Sequence, residues 1–233
     1  MMITDTSAPR QASFIPDEVK SRILCFGDSL THGENPITGG PRLSSRWPRA
    51  LQECLGPGYV VIEEGQGGRT IATDDPTEGE KNGIRYILPC LESHSPLDLV
   101  IIMLGVNDCK HKFGYSLQDI SWEMEAFLQK VLCHRHFQSA DSYDVLLVAP
   151  PPLNDGLLTS WLGELFGFEE GLRKSRELAK WYRPLAEKYG IGFLDAGLYC
   201  RSNEADGVHM DAENQQKLAE AIADYIRRGE SEK

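Results

Sequence analysis

Long hydrophobic runs, an excess of basic charge and paired cysteines are all missing from this 233-residue chain. Its longest apolar stretch, residues 99–104 with Val106 just beyond, is far too short to cross a bilayer, so no membrane partner is expected. Residues 1–20 contain Asp5, Arg10, Asp17 and Glu18 and no apolar centre, so they do not read as a secretory signal. Lys and Arg number 24 against 35 Asp and Glu, a formal net charge of −11, and no basic run breaks the pattern. Nucleic acids and anionic membrane surfaces both demand a basic face, so neither is expected as a partner. Cys25, Cys54, Cys90, Cys109, Cys133 and Cys200 form no CxxC or CxxH pair, which argues against a cysteine-built zinc site. Most sit in apolar segments, as small buried hydrophobes of a reducing compartment do. These exclusions point to a cytoplasmic protein with no metal and no cofactor.

What is present is an ordinary globular composition, 41% hydrophobic and 25% charged residues, in a length that suits one large domain. A weakly ordered tail is expected over residues 1–20 and a single domain over 21–233. Five segments read as strands: 22–27, 59–62, 97–104, 144–149 and 191–194. Four are continuous apolar runs, as expected of strands covered on both faces. Between them lie helical patterns. Trp47, Ala50, Leu51, Cys54 and Leu55 share one face; Leu117, Ile120, Met124, Phe127, Leu128 and Val131 keep a 3.6-residue period; residues 172–189 form a charged amphipathic helix; Leu218, Ala221, Ile222, Tyr225 and Ile226 face inward on a last one. Strands alternating with helices imply right-handed crossovers and an α/β fold, a flavodoxin-like three-layer α/β/α sandwich on a five-stranded parallel sheet in the order 2-1-3-4-5. Two connections, 34–46 and 150–170, are longer than plain joints need to be, and long loops in compact domains tend to be functional.

Ligands of open parallel sheets bind at the carboxyl ends of the strands. Those ends carry Gly27-Asp-Ser-Leu30, Glu63-Glu-Gly-Gln-Gly-Gly-Arg-Thr70 and Gly105-Val-Asn-Asp108, and Asp206-Gly-Val-His209 precedes the final helix. Together they supply the parts of acyl transfer. Ser29 needs a base to become a nucleophile. Histidine is the residue type suited to be that base, which makes His209 the candidate, and Asp206, one helical turn earlier, is spaced to orient it. Asp195, at the end of the fifth strand, is the rival acid. Backbone N–H groups of Ser29 and Gly68 and the side-chain amide of Asn107 can face an oxyanion. Each residue also has a plainer reading: Ser29 as a helix cap, Asn107 as a turn residue, Gly68 as a conformational necessity.

The blocks Phe26-Gly-Asp-Ser-Leu-Thr-His-Gly33, Gly65-Gln-Gly-Gly-Arg-Thr70, Gly105-Val-Asn-Asp108 and Asp206-Gly-Val-His209 resemble those of the SGNH (GDSL) hydrolase family in order and spacing, from about residue 22 to the C-terminus. The stretches 22–30, 61–65, 97–105 and 150–153 are similar to its arylesterase and acyltransferase group. The resemblance implies the SGNH hydrolase fold, a Ser29–His209–Asp206 triad, and an oxyanion hole made by Ser29, Gly68 and Asn107. It implies hydrolysis of small esters with short acyl chains and aryl or alkyl alcohols through an acyl-enzyme, with acyl transfer as a side activity. His32 and Glu34 stand where relatives tend to carry aromatics, so a roomier, more polar pocket is expected. His32, Leu157, Trp161 and Val208 are the expected substrate-binding residues. The apolar cluster Leu157, Leu158, Trp161, Leu162, Leu165, Phe166 and Phe168 reads either as pocket wall or as an interface; oligomers among the resembling esterases favour a homo-oligomer. Two other readings stay open: a metal-dependent phosphoesterase using Asp28, Asn107, Asp108 and His209, and a non-catalytic ligand-binding protein on the same scaffold.

Overall fold

A computed structural model describes residues 19–137 and 142–231. The expected tail lies, up to residue 18, outside the described residues. Strands β1 (Ser21–Gly27), β2 (Tyr59–Gly65), β3 (Leu99–Met103), β4 (Asp144–Ala149) and β5 (Gly192–Asp195) form one sheet in the order β2-β1-β3-β4-β5, every neighbouring pair parallel. Among the described residues the seven α-helices are α1 (Ser29–His32), α2 (Trp47–Leu55), α3 (Gly83–His94), α4 (Leu117–Phe137), α5 (Gly163–Phe166), α6 (Glu169–Tyr189) and α7 (Ala212–Ser231). Helices α2 and α7 pack together on one face; α4 lies between α3 and α6 on the other. That division follows from right-handed crossovers, because the step from β1 to β2 runs opposite to all the later ones.

The centre of the sheet is the core. Ile23 to Phe26, Val100 to Met103 and Leu146 to Ala149 are fully buried, as runs covered on both faces must be. Strand β2 departs from that expectation. It is half-buried throughout because it is the sheet edge, and it runs on to Gly65 rather than stopping at residue 62. Its two glutamates can be strand residues because each has a partner. Glu63 takes bonds from Arg42 and Arg46, and Glu64 from His94 at 2.8 Å. Helix α3 was not anticipated: it opens at a glycine and contains Pro89, two residues that mask a helical pattern. Its Ile87, Cys90 and Leu91 nevertheless fall on one buried face. Helix α6 starts three residues earlier than expected, at Glu169.

Two buried polar links tie the helices to the start of the site. Gln215 of α7 accepts from the Trp47 N–H at 2.8 Å and donates to the Leu30 carbonyl at 3.1 Å, and the Trp47 indole reaches the Thr31 hydroxyl at 3.3 Å. No helix among the described residues is long and apolar enough to cross a membrane.

Candidate active site

Strand β1 ends in a turn that sets a serine at the bottom of a cavity. Asp28 caps α1, its carboxylate accepting the Leu30 N–H at 2.9 Å, and Ser29 is the first residue of that helix. The cap is buried. Burial pushes the Asp28 carboxyl up to about 6, against the pull of the Leu30 N–H and of the charges of His209, Arg69 and Lys110.

Opposite it stands the loop before α7. Asp206 Oδ1 accepts the N–H groups of Val208 and His209 at 2.8 and 2.9 Å, which shapes the segment into a tight turn. Its other oxygen lies 2.6 Å from His209 Nδ1, and His209 Nε2 lies 3.0 Å from Ser29 Oγ. An ionised carboxylate can only accept, so Nδ1 carries the proton and Nε2 is free to accept from the serine. The turn is locked from below: Gly207, at φ 77°, packs so tightly on residue 157 that a Cβ would stand 2.1 Å from the Leu157 nitrogen.

The ends of β2 and β3 complete the floor. Gly68 adopts φ 79° in the Gln66–Arg69 turn. Asn107 donates one amide N–H to the Arg69 carbonyl at 3.0 Å and lies 3.4 Å from Asp28. Asp108 turns the other way. It accepts the Ile71 N–H, and burial beside Glu123 raises its carboxyl well above the usual range. Ser29, Gly68, Asn107, Asp206 and His209 all line one cavity of about 420 Å³.

The cavity has two unlike walls. Trp161, Leu162, Leu165 and Phe166, from the segment between β4 and α6, make the apolar one; Val208 adds to it beside His209. Glu78, Lys81 and Lys110 make the polar one. Lys110 is buried and donates to Glu78 at 2.5 Å, while Lys81 lies 3.4 Å from the same carboxylate. Burial works against that charge, but the surrounding ammonium groups win and hold the Glu78 carboxyl below its ordinary value. A short loop with Asn35 and Thr38 forms the remaining rim.

Two of the expected substrate-binding residues need correction. Leu157 is fully buried beneath the Asp206–His209 turn, which it supports, and does not line the cavity. His32 is also off the wall: its carbonyl anchors the Arg42 side chain at 2.5 Å, because the C-terminal end of α1 points it toward the rim. Trp161 and Val208 are on the wall. Asp195, the rival acid, caps the turn after β5 through the Gly197 N–H. The polar wall is absent from the sequence expectations: Glu78 and Lys81 lie in the connection after β2 and Lys110 in the one after β3, and no sequence spacing links the two. Among the described residues, the one cluster able to gather three metal ligands is Glu64, Cys90 and His94. Asp28, Asp108 and His209 form no such cluster.

A model of the GDSL-like lipase/acylhydrolase family matches residues 25–217. The chain belongs to this family. Solved structures agree with the membership. Est24, a carbohydrate acetylesterase from Sinorhizobium meliloti, is 39% identical, with a TM-score of 0.83 over 90% of this chain and 99% of that one. The aryl esterase of M. smegmatis is 40% identical, with a TM-score of 0.81 over 89% and 99%. An arylesterase-like protein from Agrobacterium tumefaciens str. C58 is 36% identical, with a TM-score of 0.80 over 89% and 99%. No curated protein sequence matches. This GDSL-like hydrolase therefore has the α/β architecture of its family and is a carboxylic ester hydrolase.

Proposed function

We propose that the protein hydrolyses small carboxylic esters through an acyl-enzyme on Ser29. The observation that carries this reading is the continuous path from Asp206 through His209 to Ser29 Oγ, 2.6 and 3.0 Å, on the floor of the cavity. His209 Nε2 takes the hydroxyl proton as Oγ attacks the ester carbonyl, and the imidazolium so formed is stabilised by Asp206. The carbonyl oxygen, now negative, faces the N–H groups of Ser29 and Gly68 and the Asn107 amide. His209 then returns the proton to the alcohol as the C–O bond breaks. Water repeats the sequence on the acyl-enzyme and releases the acid. Acyl transfer is the same second step with a small alcohol in place of water.

The walls bear on the substrate. A cavity of about 420 Å³ suits a small ester with a short acyl chain. The apolar wall suits an aryl or alkyl group, the chemistry named for the M. smegmatis relative. The polar wall also suits a hydroxyl-bearing alcohol, as in the carbohydrate esters named for Est24: hydroxyls can accept from the ammonium groups and donate to Glu78.

Replacing Ser29 with Ala is expected to abolish turnover of p-nitrophenyl acetate and labelling by a serine-reactive phosphonate, with the circular dichroism spectrum unchanged. Turnover retained by that variant would refute the reading. A rate profile over acyl length, for p-nitrophenyl and acetylated-sugar series, then tests the preference for short chains.

A further inference from the structure

Arg69 does not line the cavity that holds Ser29, yet it contacts the end of β1 and the turn after β2, two of the segments that build the cavity floor. Arg69 is only 3% exposed, and among the described residues no carboxylate lies within ion-pair distance of its guanidinium, although the charges of Glu64 and Asp28 act on it from further away. It donates instead to backbone carbonyls, to Gly27 at 2.8 Å and to Glu64, with a longer bond from Nε to the Gln66 side chain at 3.3 Å. Its flat faces are filled by aromatic rings, Phe26 at 4.3 Å and Tyr86 at 5.4 Å from the guanidinium carbon. A planar, five-donor cation held this way has one orientation; a lysine could not reproduce it.

The same residue's backbone closes the turn. The Arg69 N–H donates to the Gln66 carbonyl and the Gln66 N–H to the Gly27 carbonyl, both at 3.1 Å, while the Arg69 carbonyl receives the Asn107 amide at 3.0 Å. Gly27 stands two residues before Ser29, Gly68 is the neighbour of Arg69, and Asn107 hangs on its carbonyl. Stability alone does not explain a cation here, because burying a charge is costly and a well-packed apolar group often does as well or better.

We propose that Arg69 is a positioning residue for the oxyanion hole: its guanidinium clamps the Gln66–Arg69 turn onto the end of β1 and so aims the Gly68 N–H and the Asn107 amide at the carbonyl that Ser29 attacks. The inference rests on the oxyanion assignment in the proposed function. Oxyanion donors act by being fixed in advance where charge develops, so a turn that swings freely forfeits the effect without leaving the fold.

The test compares Arg69→Lys and Arg69→Ala with the parent enzyme on p-nitrophenyl acetate, with rates counted per site titrated by a phosphonate. Losing one oxyanion donor outright costs roughly 10²–10³ in kcat, so a misaimed one is expected to cost roughly 10–100-fold, with KM within about threefold. Affinity for a boronic acid that forms a tetrahedral adduct on Ser29 should fall by the same factor. A second cavity of about 500 Å³, lined by Arg69, Glu64 and Tyr86, gives small molecules access to the vacated place. Methylguanidine is therefore expected to restore part of the Arg69→Ala rate. If that variant does not fold, Arg69→Lys and Gln66→Leu carry the test, the latter with a loss of roughly 3–10-fold.

A purely structural role would lower the melting temperature and the fraction of titratable sites while leaving kcat per site and boronate affinity at parental values; that result overturns the proposal. Ser29→Ala run in parallel separates the two claims. An inert Ser29→Ala beside a fully active Arg69→Lys overturns the positioning role and leaves the esterase reading standing. Turnover by Ser29→Ala overturns both.

Discussion

The floor and the rim of the cavity are built on opposite principles. On the floor, Asp28, Ser29, Asn107 and Asp206 are buried; Ser29 Oγ meets His209, and the other three side chains each make two or more polar contacts. On the rim, Trp161 is 65% exposed and sits in a segment of local turns. The floor pays for its order in buried polar groups, each of which needs a partner to be tolerated. The rim needs no partners and is free to vary in shape. Chemistry at a carbonyl demands fixed donors and a fixed base, whereas selection of a substrate demands only surface of the right shape and polarity. The difference predicts that floor variants change kcat and rim variants change KM.

The largest effect is expected from Asp206→Asn. It keeps the size of the side chain but no longer holds His209 in the tautomer that accepts from Ser29, so kcat should fall by roughly 10⁴ with the fold intact. Steady-state kinetics with p-nitrophenyl acetate reads this directly, and a loss below tenfold would break the comparison on its strongest side. Gly68→Ala comes next. The new Cβ would stand 2.1 Å from the Glu78 carboxylate on a backbone at φ 79°, so the turn must shift and its N–H with it. A fall in kcat of roughly 10²–10³ is expected, with a smaller change in KM.

A third floor variant is read as stability rather than rate. Burial raises the Asp28 carboxyl from 3.8 to about 6. The native state thus holds this proton more tightly than the unfolded chain does, and stability from this group falls as pH rises from about 4 to 6, then levels off. Asn at this position keeps an acceptor for the Leu30 N–H but cannot titrate. Urea unfolding should therefore show the Asp28→Asn variant gaining on the parent by about 1–3 kcal/mol between pH 4 and 7. A difference constant across that range would show that Asp28 ionises as freely in the fold as outside it. Smallest is the rim. Trp161→Ala removes an exposed apolar contact and is expected to raise KM by roughly tenfold or less, with kcat nearly unchanged. A drop in kcat instead would mean that the rim helps to order the floor.

How much of this was readable beforehand follows the same division. The floor residues lie at strand ends in short blocks, because a nucleophile turn, a donor turn and a base-bearing loop each need a few residues in local sequence. Ser29, Gly68, Asn107, Asp206 and His209 could therefore be named, and the structure brings all five to one cavity. The rim and second layer could not be read the same way. Leu157 looked like pocket lining because it is apolar and lies in a long loop, but that loop folds back so that Leu157 carries the Asp206–His209 turn. Helix α3 hid behind Gly83 and Pro89. Glu78 and Lys81 share the connection from β2 to α3, and they meet Lys110 only because the connection after β3 converges with it over Gly68.

Sequence by itself determined the strand order, through the alternation of apolar runs and amphipathic helices and the handedness of their crossovers, and it named the candidate reactive groups, because their local turns are encoded within a few residues. Tertiary structure alone decided which side chains stand behind and beside those groups. Arg69 between Phe26 and Tyr86, Leu157 beneath Gly207, and the charged wall across from Trp161 are contacts between segments far apart in the chain. Periodicity and spacing report only what neighbours along the chain share. Contacts of this kind are set by packing, in which each residue's place depends on where all the others have settled.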